Sequence, residues 1–157
     1  MLGFVRGQFG LVFLLLEIFS TIPIPDWVFY SPEMRTIWKD GNFLVTVYND
    51  ILSFKKELAT DFLINIIPIL YFSGIPWDEV MPTIGDNMEA AAQRIDEATR
   101  KLIGITHNNS ELKKAVVQFI DGIEISIAGN IGYSICTKRY SSRFKSFNED
   151  GALVIQL

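Results

Sequence analysis

The sequence contains a single cysteine, Cys136, and a single histidine, His107, among its 157 residues. One cysteine excludes a disulfide framework, and these two residues cannot supply the ligands of a structural zinc site. Charged residues are also few, at 20%, and the formal net charge of -4 leaves no broad basic surface. General binding of nucleic acid through its phosphates is therefore excluded, and a cytoplasmic protein is favoured.

Apolar residues, by contrast, make up 49% of the chain, and 13% of all residues are aromatic. A chain of this length and composition has the material for the core of one ordinary domain, or of part of one. No stretch reads as a linker between two domains. We therefore expect most of the chain to be buried in one hydrophobic core.

The first twenty residues contain one cation and an apolar run, which also occurs in signal peptides and membrane anchors. The uninterrupted run from Phe9 to Leu16 is eight residues long, far short of the roughly 20 that span a bilayer. Glu17 would also be costly within an apolar targeting segment. A buried helix from about Leu2 to Phe19 is favoured over a membrane-anchored protein, and no stable membrane insertion is expected.

Helical periodicity dominates the rest of the chain, so we predict an all-α fold. Ser31 is the expected N-cap of a helix that begins at Pro32. The last few residues, "ALVIQL", are the only ones that suggest a strand. The predicted helices run from Pro32 to about Ala59, through "DFLINIIPILYFSG" to Gly74 with a break or kink at Pro68, and through "IPWDEVMPTIGDNMEAAAQRIDEATRKLIG", mainly from Asp86 to Ile103. A further helix is predicted from Glu111, capped by Ser110, to about Tyr140.

The segment "NDILSFKKE", residues 49 to 57, places oxygen-bearing side chains inside an otherwise apolar helix. Asn49, Ser53 and Glu57 are four residues apart, so they lie about 40° from one another around the helix and form one stripe. Amide, hydroxyl and carboxylate oxygens are hard ligands that suit Mg²⁺, and Lys56 beside them would suit a diphosphate. The alternative is that this stripe, together with Asp50, is the solvated face of an amphipathic helix.

Two further motifs connect this stripe to a known family. "GNIGYSICTKRY" resembles the C-terminal motif of class I terpene synthases, and residues 49 to 57 resemble the second metal motif of that family. "RGQFG" resembles the diphosphate-sensor turn of its microbial members, and Arg6 precedes Asn49 by 43 residues, as in fungal cyclases of the trichodiene-synthase type. The sequence is thus similar to the C-terminal half of a fungal sesquiterpene cyclase.

This resemblance implies a helical bundle and a Mg²⁺-dependent lyase that ionises a prenyl diphosphate, most naturally farnesyl diphosphate, and cyclises the carbocation. It also implies a role for individual residues. The metal ligands would be Asn49, Ser53 and Glu57; the diphosphate-binding residues would be Arg6, Lys56, Arg139 and Tyr140; and the catalytic residues would be Arg6, Gly10 and Tyr133.

The sequence departs from the family pattern at two aromatic positions. Phe9 stands where bacterial relatives usually have Asp, and Tyr133 replaces the more frequent Trp. Phe9, Phe43 and Tyr133 are candidates for the wall of a cavity that shields a carbocation from water. Plain core packing is at least as strongly favoured for each of them.

The family's aspartate-rich metal motif does not occur in this sequence. We therefore expect residues 1–157 to be the C-terminal portion of a single terpene synthase domain, truncated to its C-terminal helices. Helix faces made to pack inward would then be exposed, which favours misfolding or association into homo-oligomers. The remaining alternative is a non-catalytic helical remnant or interaction module.

Overall fold

The computed structural model describes residues 24–60 and 64–137, together with the backbone of two short strands nearer the C-terminus. The described residues are predominantly helical, which confirms the prediction of an all-α protein. The strands pair antiparallel, with Ser146 opposite Val154 and Phe147 opposite Leu153. The elements are α1 (Asp26–Phe29), α2 (Pro32–Leu58), α3 (Ile66–Phe72), α4 (Trp77–Ile105), α5 (Ser110–Cys136), β1 (Ser146–Phe147) and β2 (Leu153–Val154).

The N-termini of α2 and α5 are fixed by side-chain caps. The hydroxyl of Ser31 accepts a hydrogen bond from the backbone N–H of Met34 at 3.1 Å, so the predicted cap of α2 is confirmed. At α5 the cap is Asn109, whose Oδ1 accepts from the N–H of Leu112 at 3.0 Å. The prediction of a Ser110 cap was wrong by one residue, because Asn and Ser are almost equally good caps.

Helix α4 begins at Trp77, within the segment predicted to be helical but nine residues before Asp86, where its main part was expected to begin. Pro82 lies inside this helix and removes one backbone hydrogen bond. Burial of Val80 and Ile84 on either side of it favours the helix over the local preference of proline.

Helix α3 is continuous through Pro68, which was expected to break or kink it. Pro68 is the third residue of this helix, and the N–H groups of a first turn have no acceptor within the helix. Gly74 ends the segment as predicted, with a φ of 102° that suits a residue without a side chain. The N–H of Gly74 donates to the carbonyl of Tyr71 at 3.1 Å, and that of Ile75 to Leu70 at 3.2 Å, which is the Schellman arrangement.

The described residues fall into two compact units. The first comprises residues 24–44 and 87–128. Its core brings together the start of α2 and parts of α1, α4 and α5, and the ring of Phe29 packs against Trp38 at 5.1 Å between centroids. The buried residues of this core are Ile24, Val28, Met34, Ile37, Trp38, Ile95, Ala98, Leu102, Leu112, Ala115, Val116, Phe119, Ile120 and Ile123.

The first unit also contains an ion pair between Arg94 and Asp40. The guanidinium of Arg94 donates to both carboxylate oxygens of Asp40, at 2.7 Å from Nε and 3.1 Å from Nη2. The side chain of Asp40 is only 4% exposed. The paired fork therefore compensates a carboxylate that would otherwise be buried without a partner.

The second unit comprises the described residues from 45 to 86 and from 129 onwards. Aromatic rings of this unit pack around Trp77, whose ring centroid lies 6.2 Å from that of Phe54 and 5.8 Å from that of Tyr71. Several large apolar side chains of this unit remain exposed: Leu58, Ile64, Ile69, Tyr71, Phe72, Trp77 and Tyr133. Homo-oligomerisation through such residues stays a prediction.

Within the described ranges, none of the helices combines the length and the apolar character that crossing a bilayer requires. The apolar segment of residues 1–20, on which the membrane-anchor alternative depends, lies outside those ranges, as does the helix expected from Leu2 to Phe19.

Candidate metal-binding site

The C-terminal half of α2 carries the predicted metal ligands. Asn49, Ser53 and Glu57 all lie within this continuous helix, so their spacing places them on one stripe of its surface. Ser53 is 3% exposed, whereas Asn49 and Glu57 are half-buried. The stripe therefore lies partly inside the protein, which differs from a fully solvated helix face.

The buried amide of Asn65 fixes the far end of this stripe. Asn65 is 1% exposed, and its Nδ2 donates to the Oε2 of Glu57 at 2.9 Å and to the backbone carbonyl of Asp50 at 2.7 Å. Its Oδ1 accepts from the N–H of Ile67 at 3.0 Å and so caps α3. One side chain thus ties the first turn of α3 to the carboxylate of a predicted metal ligand.

Asp50 forms a second link between the same two helices. Its Oδ2 accepts the backbone N–H of Ile66 at 2.8 Å. Burial raises the pKa of Asp50, opposed by the hydrogen bond from Ile66; the nearby charge of Glu57 raises it further, and a hydrogen bond with Asn49 lowers it. Asp50 is therefore a capping residue for α3 and not merely part of a solvated face.

The donor set of the stripe fits a hard divalent cation. In the 3.5 Å contact with the Asp50 carbonyl the Ser53 hydroxyl is the donor, so this contact does not use the lone pairs of its oxygen. No group of three or more His, Cys, Asp or Glu side chains suited to a metal occurs in the described part of the chain. A metal site on α2 therefore depends on the neutral oxygens of Asn49 and Ser53 beside the carboxylate of Glu57.

The other predicted site residues are distributed differently. Lys56 is exposed on α2 next to Glu57. Tyr133 is 68% exposed on α5, and Phe43 is half-buried on α2. Arg6, Phe9, Gly10, Arg139 and Tyr140 lie outside the described residues, and their roles stay predictions.

A groove between α2 and α4 in the first unit contains both basic and acidic side chains. Its basic residues are paired within the protein: Arg94 with the carboxylate of Asp40 at 2.7 Å, and Lys101 with Glu97 at 3.3 Å. These charges are already compensated, so the groove is a weaker candidate for a diphosphate than the neighbourhood of Lys56.

Sequence reasoning missed Asn65. An asparagine directly before the apolar run "IIPILYF" is a helix N-cap signal, so its capping role could have been predicted. Its contact with Glu57, eight residues earlier, could not, because the turn that joins two helices is not encoded by periodicity.

The described residues form a predominantly helical protein with a candidate divalent-metal site. A family model described as "Terpene synthase family 2, C-terminal metal binding" matches residues 3–103 of the chain. The chain therefore belongs to the terpene synthase family, which confirms the resemblance found in its motifs.

Individual relatives agree with this assignment. The chain is 29% identical to terpene cyclase 4 of Gibberella fujikuroi over 80% of its own length and 34% of that protein. It is 27% identical to a sesquiterpene synthase of Cyclocybe aegerita, over 80% of the chain and 36% of the relative. The chain is 25% identical to the silphinene synthase of Penicillium patulum, over 88% of the chain and 37% of that protein. The matched part of the chain thus spans about a third of the length of these curated relatives.

Proposed function

We propose that this chain is the metal-binding, C-terminal portion of a cytoplasmic terpene cyclase that ionises farnesyl diphosphate with Mg²⁺ and cyclises the carbocation to a sesquiterpene, with release of diphosphate. The observation that carries this proposal is the partly buried stripe of Asn49, Ser53 and Glu57 on α2. Relatives named as sesquiterpene synthases support the class of product, and a fifteen-carbon product requires a fifteen-carbon prenyl donor.

Each residue of the site has a physical role in this proposal. Mg²⁺ bound to the stripe would neutralise charge that develops on the diphosphate as the carbon–oxygen bond breaks. Lys56 supplies a cation beside the same group, and the guanidinium of Arg139 is suited to hold phosphate oxygens with two parallel hydrogen bonds. Arg6 and Tyr140 are proposed as further donors to the diphosphate, and Gly10 and Tyr133 as catalytic residues.

Metal binding and cyclisation are separable parts of this proposal. The sequence has no aspartate-rich motif to supply the opposing ligands, so the chain alone would hold a half-site with weak affinity for Mg²⁺. Diphosphate oxygens would complete the coordination shell, since Mg²⁺ is usually bound by few protein ligands together with phosphates and water.

Calorimetric titration of the full chain with Mg²⁺, first alone and then with inorganic diphosphate after subtraction of the same titration without protein, tests the site. Glu57→Gln should weaken binding by about 10-fold or more, because it removes the only anionic member of the ligand set. Glu79→Gln is the matched control, since Glu79 is exposed on α4 in the same unit. Equal binding by the wild type and Glu57→Gln would remove Glu57 from the site.

Activity is measured separately, by incubating the chain with farnesyl diphosphate and Mg²⁺ and extracting the hydrocarbons for gas chromatography with mass spectrometry. If turnover is observed, Arg139→Lys should lower it, because an ammonium group cannot replace the guanidinium fork. A chain that binds Mg²⁺ and diphosphate without turnover would support the metal site and contradict autonomous cyclisation.

A further inference from the structure

Asn65 is a buried polar residue that the proposed chemistry does not yet use. Its amide makes three hydrogen bonds shorter than or equal to 3.0 Å, to the Asp50 carbonyl, to the Glu57 carboxylate and from the Ile67 N–H. Two of these partners are backbone groups within helices, so their positions are fixed. The third, Glu57, is therefore held by an amide whose own position is fixed.

This contact determines which part of the Glu57 carboxylate is available to a cation. One of the two Nδ2 hydrogens of Asn65 is directed at the Asp50 carbonyl, and the other, which carries partial positive charge, lies against Oε2, with 2.9 Å between Nδ2 and Oε2. A cation bound to both carboxylate oxygens would share Oε2 with this hydrogen and be repelled by it. A cation bound to Oε1 alone meets no such repulsion and leaves the hydrogen bond intact.

We propose that Asn65 is a positioning residue that keeps Glu57 as a one-oxygen ligand and thereby favours Mg²⁺ over Ca²⁺ at this site. The inference rests on the proposed metal-binding function of the stripe. Mg²⁺ requires near-octahedral geometry with a small ligand number, whereas Ca²⁺ takes six to eight oxygens and readily binds a carboxylate through both. Blocking one oxygen of Glu57 therefore penalises the larger ion.

The test is the ratio of Mg²⁺ to Ca²⁺ affinity, measured by calorimetry on the full chain with each metal ion alone. Asn65→Ser removes the amide donors and retains a side chain that caps helices well. Mg²⁺ affinity should fall by about 10-fold, as for other groups that orient a metal ligand, while Ca²⁺ affinity should fall less. The affinity ratio should therefore shift towards Ca²⁺.

The matched control is Asn109→Ser, which makes the same change at the cap of α5, where the Asn side chain accepts from Leu112. It should leave the ratio unchanged. If Asn65→Ser does not fold, Asn65→Thr replaces it, because a threonine hydroxyl also caps helices and lacks the amide donors that contact Asp50 and Glu57. The ratio should again shift towards Ca²⁺.

Equal weakening of both ions by Asn65→Ser, at an unchanged ratio, would overturn the inference and reduce Asn65 to a structural residue. If the wild type binds neither ion, the proposed metal site itself fails and the inference falls with it. A metal-free comparison separates these cases: the stabilities of Asn65→Ser, Glu57→Ala and the double variant in urea should be non-additive if the contact forms in solution. Additive effects would contradict the contact on which the inference depends.

Discussion

The bond between Asp50 and the first turn of α3 gives the most direct test of how the α2 stripe is held in place. Asp50→Ala removes the Oδ2 that accepts the Ile66 N–H at 2.8 Å. Alanine is the best helix former, so α2 itself should be unaffected. The change therefore acts on the attachment of α3 and not on the helix that carries the predicted ligands.

The expected magnitude follows from the character of this bond. Hydrogen bonds to charged groups contribute about 1.5–3 kcal/mol when buried. Asp50 is only half-buried, so water will replace part of the lost interaction and a cost of about 1–2 kcal/mol is reasonable. At about 1.4 kcal/mol per factor of ten, the local opening of α3 should become roughly 5- to 30-fold more frequent.

Amide hydrogen exchange followed by NMR reads this opening residue by residue. The amides of Ile66 and of the later α3 residues should lose protection in Asp50→Ala, while the amides in the core of α4 should not. Asp50→Asn is the control, because its side-chain oxygen can still accept the Ile66 N–H and should keep protection close to that of the wild type. Unchanged protection of α3 in Asp50→Ala would refute the view that this bond attaches the helix.

Three further outcomes are expected. Burial raises the pKa of Asp50 in the folded state, so folding favours its protonated form. The free energy of unfolding of the wild type, relative to that of Asp50→Asn, should therefore fall as pH rises through that raised pKa. Urea denaturation between pH 3 and 7 measures this difference. Arg94→Leu should lower the melting temperature, because it leaves the buried carboxylate of Asp40 without its partner, and Arg94→Lys should lower it less. Leu102→Ala should cost about 3 kcal/mol in urea denaturation, since Leu102 is fully buried, whereas Ile105→Ala, at a residue 51% exposed on the same helix, should cost much less.

The starts and ends of helices were predictable where a side chain or a special backbone conformation marks them. Ser31 and Pro32 identify the start of α2 because one offers a capping hydroxyl and the other needs no acceptor for an N–H. Gly74 identifies the end of α3 because a left-handed residue follows many helices. These signals are local, so the sequence alone contains them.

The start of α4 was missed because its determinant is not local. Proline in a helical pattern argues for a boundary, and Pro82 does so here. Burial of Val80 and Ile84 outweighs the loss of one backbone hydrogen bond, and this burial depends on residues distant in sequence. The identity of the α5 cap was missed for a different reason, since Asn109 and Ser110 are adjacent residues with similar capping strength.

In the candidate site, too, some features depend on local sequence and others on contacts between helices. The stripe of Asn49, Ser53 and Glu57 is a property of spacing on one helix, so it was predictable, and its proposed metal remains to be tested. The orientation of Glu57 is a property of two helices, because Asn65 reaches it from the start of α3. The residue types on one helix specify which atoms are suited to bind a cation, but not which of those atoms already accept a hydrogen bond.

The position of Glu57 near the end of α2 makes its orientation dependent on contacts with another helix. Glu57 lies in the last turn of α2, where backbone hydrogen bonds are fewest and a helix frays most readily. A ligand placed there needs support from outside its own helix, and the Asn65 amide, eight residues further along the chain, provides it. The loop that must close to bring the two together is short, so the entropic cost of the contact is small. A variant that kept Asn49, Ser53 and Glu57 but disrupted the α3 cap would therefore retain the ligand atoms and lose the carboxylate orientation on which metal binding is proposed to depend.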